Sequence, residues 1–177
     1  MRILLCTLLT SLALSAADPI TAAFKARFQT QKLNFTESAE AMPEEHMAFR
    51  LTPDQRSFGD WLEHTADMSY RMCSQIVGQP APKDTGVNGV QYKGKNAIKT
   101  AINGAFSHCE KVFEGLNDAK ALEEVQVGNR KLPAVDVMFS LIANLNAHYG
   151  NMVGYMRVKG VVPPSTARTS RANAKKK

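Results

Sequence analysis

The residues best placed to do chemistry lie on one segment near the C-terminus, residues 133–160, where Asn144 and His148 stand one helical turn apart. Leu141, Leu145, Met152 and Tyr155 form an apolar stripe at helical spacing along that segment, and His148 falls within it. A polar side chain on a core face costs about 1 to 3 kcal/mol when it has no partner. Two of them on a buried stripe therefore imply either a hydrogen-bonded pair or ligands to a metal, since a neutral imidazole is a common zinc donor.

Other residue types carry less. His46 and His108 lie in a loop or off the apolar stripe and read as solvated or partly covered histidines. Trp61, Met68 and Met72 recur at helical spacing, which is the pattern of a core before it is that of a ligand pocket. Gly86 and Gly89 do not make a phosphate-binding loop, and the chain has no Ser-His-Asp signature, Cys-x-x-Cys pair, haem-attachment sequence or Walker motif. No motif of this kind names a reaction.

The elements that must position Asn144 and His148 can be read from the N-terminus. Met1-Arg2, the apolar run Ile3 to Leu14 and the small residues Ser15-Ala16-Ala17 read as a signal peptide, too short to span a bilayer. Removal of residues 1–17 leaves 160 of the 177 residues, enough for one domain with a sizeable core, destined for the periplasm or the exterior. The net charge of +6 is local: Arg2 and five Lys or Arg in the last ten residues account for six of the 22 basic side chains, leaving 16 against 16 acidic. The folded part is formally neutral, which excludes a nucleic-acid-binding surface as its main feature. Residues 165–177 read as a basic, disordered tail able to touch anionic surfaces.

Four helices are expected between leader and tail. Asp18-Pro19 opens the first, which carries Ile20, Phe24, Phe28, Phe35 and Met42 as far as Pro43. Thr52-Pro53-Asp54-Gln55 reads as a capping box for the second, with Phe58, Trp61, Leu62, Thr65, Ser69, Met72 and Ile76 on one face before Gly78. The third holds the clearest stripe, Ile98 to Leu116, and the fourth runs from Pro133 to Gly160. No strand-like alternation of useful length is read, so the fold class is all-α, a four-helix bundle.

The stretches Ala41-Met42-Pro43-Glu44-Glu45, Phe49-Arg50-Leu51-Thr52-Pro53, Arg56-Ser57-Phe58-Gly59 and Trp61-Leu62-Glu63-His64 resemble the first half of DinB-like proteins, relatives of the bacillithiol transferases and mycothiol-dependent isomerases. His148-Tyr149-Gly150-Asn151, Tyr155-Met156-Arg157 and Gly160-Val161-Val162-Pro163-Pro164 resemble the closing helix and its turn, so that the likeness spans residues 20–164. It implies an up-down-down-up bundle, with a homodimer as one possible assembly. It also implies a zinc or nickel ion held by three histidines, one on the second helix and two, four apart, on the fourth. His64 and His148 match two ligand positions, while Asn144 stands at the other. Its neutral carbonyl oxygen is a poorer donor than imidazole. Ala147 stands where such relatives often have glutamate, and Asp67, one turn after His64, is a candidate carboxylate near the site.

Two function classes follow from the resemblance. One is a metal-dependent hydrolase or transferase with a degenerate site at His64, Asn144 and His148. The other is a non-catalytic extracytoplasmic bundle that binds a small molecule or a partner in the same cleft. Export separates the chain from the cytosolic thiol cofactors of the family. The family topology also sets the second and third helices parallel, so that Cys73 and Cys109 either bridge in an oxidising compartment or remain two buried thiols.

Overall fold

In the computed structural model, residues 18–89 and 91–175 are described; the expected signal peptide, residues 1–17, lies outside them. The first helix, α1 (Pro19–Ala41), starts at the Asp18-Pro19 pair as the sequence implies, but its cap is not local. The carboxylate of Asp118 accepts from the backbone N–H groups of Ile20 and Thr21 at 3.1 and 2.8 Å, and Asp18 accepts from Asp118 N–H at 2.9 Å. Free N–H groups of a helix start are thereby satisfied from a segment a hundred residues away. Phe24, Phe28 and Phe35 then bury one face of α1 against α3 (Gly94–Glu114), with Phe28 and Phe113 edge to face at 4.8 Å.

The second helix, α2 (Phe58–Ile76), begins later than the Thr52 capping box predicts. Thr52 to Gln55 forms a turn, closed by Gln55 N–H on the Thr52 carbonyl at 3.1 Å, which suits proline at its second position. The capping box is one step on: Ser57 Oγ accepts from Asp60 N–H, and the Asp60 carboxylate accepts from Ser57 N–H. The start is fixed by packing, because Gly59 N–H reaches the Met47 carbonyl at 2.8 Å and a Cβ there would meet that oxygen at 3.2 Å and Ile98 at 3.3 Å.

From Gly59 against Ile98, α2 and α3 continue side by side to a disulfide between Cys73 and Cys109, whose Cα atoms are 5.2 Å apart and whose side chains are fully buried. Of the two states open to these cysteines, the structure contains the bridge.

The segment after α3 departs from the all-α expectation. A short helix, α4 (Asp118–Ala121), leads into an antiparallel hairpin, β1 (Glu124–Val127) with β2 (Arg130–Pro133). Val125 and Val127 are half-buried while Glu124 and Gln126 are exposed, and Gly128 takes a positive φ of 60° in the two-residue turn. Strands of four residues are too short for alternation to stand out. The fold is mainly helical with one small hairpin.

The long α5 (Ala134–Val158) follows, buries Leu141, Leu145, Met152 and Tyr155 as its stripe predicts, and ends before Gly160, whose φ is 70°. It lies against α1, where Gln31 donates to Asn146 at 2.7 Å, and against α2, where the Trp61 indole donates to the Tyr155 hydroxyl at 3.3 Å.

The basic C-terminal segment is not a disordered tail over its described part. It forms α6 (Pro164–Ala174), opened by a buried Pro164. Arg168 bonds to Glu37 and to the buried Asn34, and Ser165 N–H donates to the Tyr149 hydroxyl at 3.0 Å. The helix has no apolar stripe because polar contacts hold it, which is why periodicity missed it. Truncation before Pro164 should therefore lower stability by about 1 to 3 kcal/mol, since Asn34 and Tyr149 lose their partners. Chemical denaturation of the truncated protein checks this, and an unchanged midpoint would show that α6 contributes nothing.

Candidate functional site

The candidate site is built by facing stretches of α2 and α5. On α2, Trp61 and His64 are three residues apart and share a face; on α5, Asn144 and His148 are four apart. The structure brings the two histidines together: their ring centroids are 5.0 Å apart with the planes at 55°. The Trp61 ring closes the group, 5.0 Å from His148 and 6.2 Å from His64.

Trp61 is held in turn by residues the sequence reading gave no role at the site. Its indole N–H donates to the Tyr155 hydroxyl, which itself donates to the Arg56 carbonyl at 2.6 Å, with Gln55 Oε1 at 2.9 Å. The Arg56 guanidinium lies 5.2 Å over the Trp61 ring, a cation–π contact that places a positive charge beside the histidines. Arg56 sits in exposed irregular chain just before α2, where no periodicity marks it, and Tyr155 reads from sequence only as part of the core stripe.

Both imidazoles are poised to donate lone pairs. Burial pulls the His148 pKa down to about 4, with His64 and Arg56 adding repulsion against its protonated form. Burial lowers that of His64 too, assisted by Arg56 and Arg71. At neutral pH the two rings are uncharged. His148 Nε2 is buried and has no hydrogen-bond partner among the described residues. An imidazole nitrogen left so is costly unless something else binds it.

The donor set falls short of three imidazoles. Asn144 is half-buried, and its amide nitrogen donates to the Ser140 carbonyl at 2.8 Å, leaving one neutral oxygen for a cation. Ala147 is exposed and offers nothing. Asp67 is engaged elsewhere: it accepts from the Tyr92 hydroxyl at 3.1 Å and packs at Gly86, whose N–H donates to that same hydroxyl at 2.7 Å. The carboxylate thus ties the loop between α2 and α3 to α2, and Tyr92 is pushed up to about 12, chiefly by burial. Among the described residues no group of three or more His, Cys, Asp or Glu is gathered around one point. The residues present offer two imidazoles and at most one weak oxygen donor.

The remaining candidates sit away from the pair. His108 Nε2 is 2.9 Å from Ser74 Oγ beside the disulfide, and His46 lies in a single 3-10 turn, Glu44–His46. Met68 is buried and Met72 half-buried, both packed in the core.

This arrangement has known counterparts in fold. A DinB-like protein from Bacillus cereus superimposes with a TM-score of 0.66 over 81% of this chain and 95% of its own, at 15% identity. A DinB-like protein from Bacillus subtilis gives 0.65, 15% identity and coverage of 78% and 92%. A DinB family member from Shewanella denitrificans gives 0.53, 19% identity and coverage of 80% and 84%. The chain therefore has the DinB-like fold. No protein-family model matches the sequence, and no curated protein matches it significantly.

Proposed function

We propose that the chain is an exported DinB-like protein, an up-down-down-up four-helix bundle elaborated by the hairpin and α6, whose His64–His148 pair binds a divalent metal such as zinc or nickel. The observation that carries this reading is the buried His148 Nε2, without a partner among the described residues and lying against a second neutral imidazole. A metal there would keep open positions able to polarise a substrate or activate water, the chemistry of a hydrolase or transferase. The chain's own residues would do the rest. Trp61 walls the pair, Tyr155 fixes Trp61, and the Arg56 cation attracts an anionic group on the substrate.

A second reading has its own support. Asn144 and Ala147 supply neither a charged ligand nor a general base, which favours a non-catalytic bundle that binds a small molecule at the same cleft. In either reading the exposed Arg171, with Lys175 one turn on and Lys176 and Lys177 after it in sequence, suits contact with anionic surfaces.

The test is a calorimetric titration of the tag-free protein with zinc and with nickel at neutral pH. One equivalent should bind, weakly for a histidine site, and His148→Ala should remove the binding. An unchanged titration in that variant would place the metal elsewhere and overturn the reading.

A further inference from the structure

A second concave site lies between the N-terminal halves of α1 and α5, about 15 Å along α5 from His148. It is a groove of about 240 Å³. Its floor is Phe24 and Met138, 8% and 1% exposed, and its rim carries Ile20 and Phe139, 39% and 69% exposed. A phenyl ring that open to water beside an apolar groove marks a surface that gains by being covered.

The rim also holds Arg27, exposed and the one charged residue of the lining. Among the described residues the ion pairs are those of Lys32, Arg50, Lys99 and Arg168, so Arg27 meets no carboxylate. Its helical neighbours at three and four residues, Ala23, Phe24, Thr30 and Gln31, bring no acid either. A guanidinium with five donors and no partner beside an apolar slot matches a ligand with a carboxylate at one end and a hydrocarbon chain at the other. The volume is below the range of drug-sized pockets, which limits the chain to a short or medium one.

We propose that this groove binds a free medium-chain monocarboxylate, its acyl chain laid over Phe24 and Met138 and its carboxylate paired with Arg27. The site is separate from the histidine pair and does not depend on whether that pair takes a metal.

Octanoate and octanol titrated into the purified protein by calorimetry separate the two halves of the proposal. Octanoate should bind saturably at one equivalent. Arg27→Gln should weaken octanoate about tenfold and leave octanol unchanged, because only the carboxylate uses the guanidinium. Ala23 is exposed on the rim, so Ala23→Trp should fill the groove and abolish binding of both without a change in melting temperature. The absence of saturable octanoate binding, equal octanoate affinity in Arg27→Gln, or binding that survives Ala23→Trp would each overturn the proposal. So would a dimer by sedimentation that Phe139→Ser dissociates, since the groove would then be covered by a second copy of the chain.

Discussion

Replacing Cys73 and Cys109 together by alanine should destabilise the protein by about 3 to 4 kcal/mol, the chain-entropy estimate for a loop closed over a separation of 36 residues. That is a large fraction of the stability of a domain this size. The bridge joins the ends of α2 and α3 distant from Gly59, so its removal frees the C-terminal half of the helix that carries His64. Both cysteines are fully buried, and a reductant acting on the folded protein should be slow to reach them. Double replacement is therefore the cleaner route. Chemical denaturation of wild type, purified oxidised, against the double variant gives the difference directly, and a loss below about 1 kcal/mol would mean that packing holds the two helices without the bridge.

Asn144→His should tighten zinc or nickel binding by an order of magnitude or more. Asn144 is one turn from His148 on the same face of α5, and its only free donor is a neutral oxygen. An imidazole in its place offers a nitrogen that these metals prefer. The substitution also gives up the bond from the amide to the Ser140 carbonyl, an i to i−4 contact whose loss is minor in a long helix. Calorimetry of the variant beside wild type measures the gain. Equal affinities would show that residue 144 does not face the pair and that the ligand positions implied by the family resemblance do not transfer to this chain.

Long stripes were legible in the sequence. The burial of α3 and α5 follows the periodicity of Ile98 to Leu116 and Leu141 to Tyr155, because each helix turns one wide apolar face to the others. Short or polar elements were not. The Thr52 and Ser57 starts both carry capping chemistry, and the choice between them is made by Gly59 seating on Met47 and Ile98, a contact between segments distant in sequence. The hairpin has two four-residue strands, and α6 is held by Arg168 and Ser165 rather than by apolar residues. Pro163-Pro164 signalled the end of one helix and also began the next.

At the site, the family resemblance placed His64 opposite His148, a long-range pairing that no local pattern carries. It had no means to supply Arg56 or the bond between Trp61 and Tyr155, which arise only once α2 and α5 pack. Asp67 shows the converse. Its spacing one turn from His64 suggested a supporting carboxylate, but a neighbouring loop captures it through Tyr92.

The most direct test of the central claim is nitrogen-detected NMR of the four imidazoles as pH and then zinc are varied. His148 should stay neutral well below the ordinary histidine range and titrate near about 4, where burial has moved it. Because its folded-state pKa is depressed, protonation of the unfolded chain should erode stability as pH falls from the unfolded value of about 6.5 toward that point. At neutral pH, zinc should shift the ring nitrogens of His64 and His148 together, saturating at one equivalent, while His46 and His108 stay in place. A His148 that titrates near 6.5, or zinc-induced shifts confined to His46 and His108, would contradict the account.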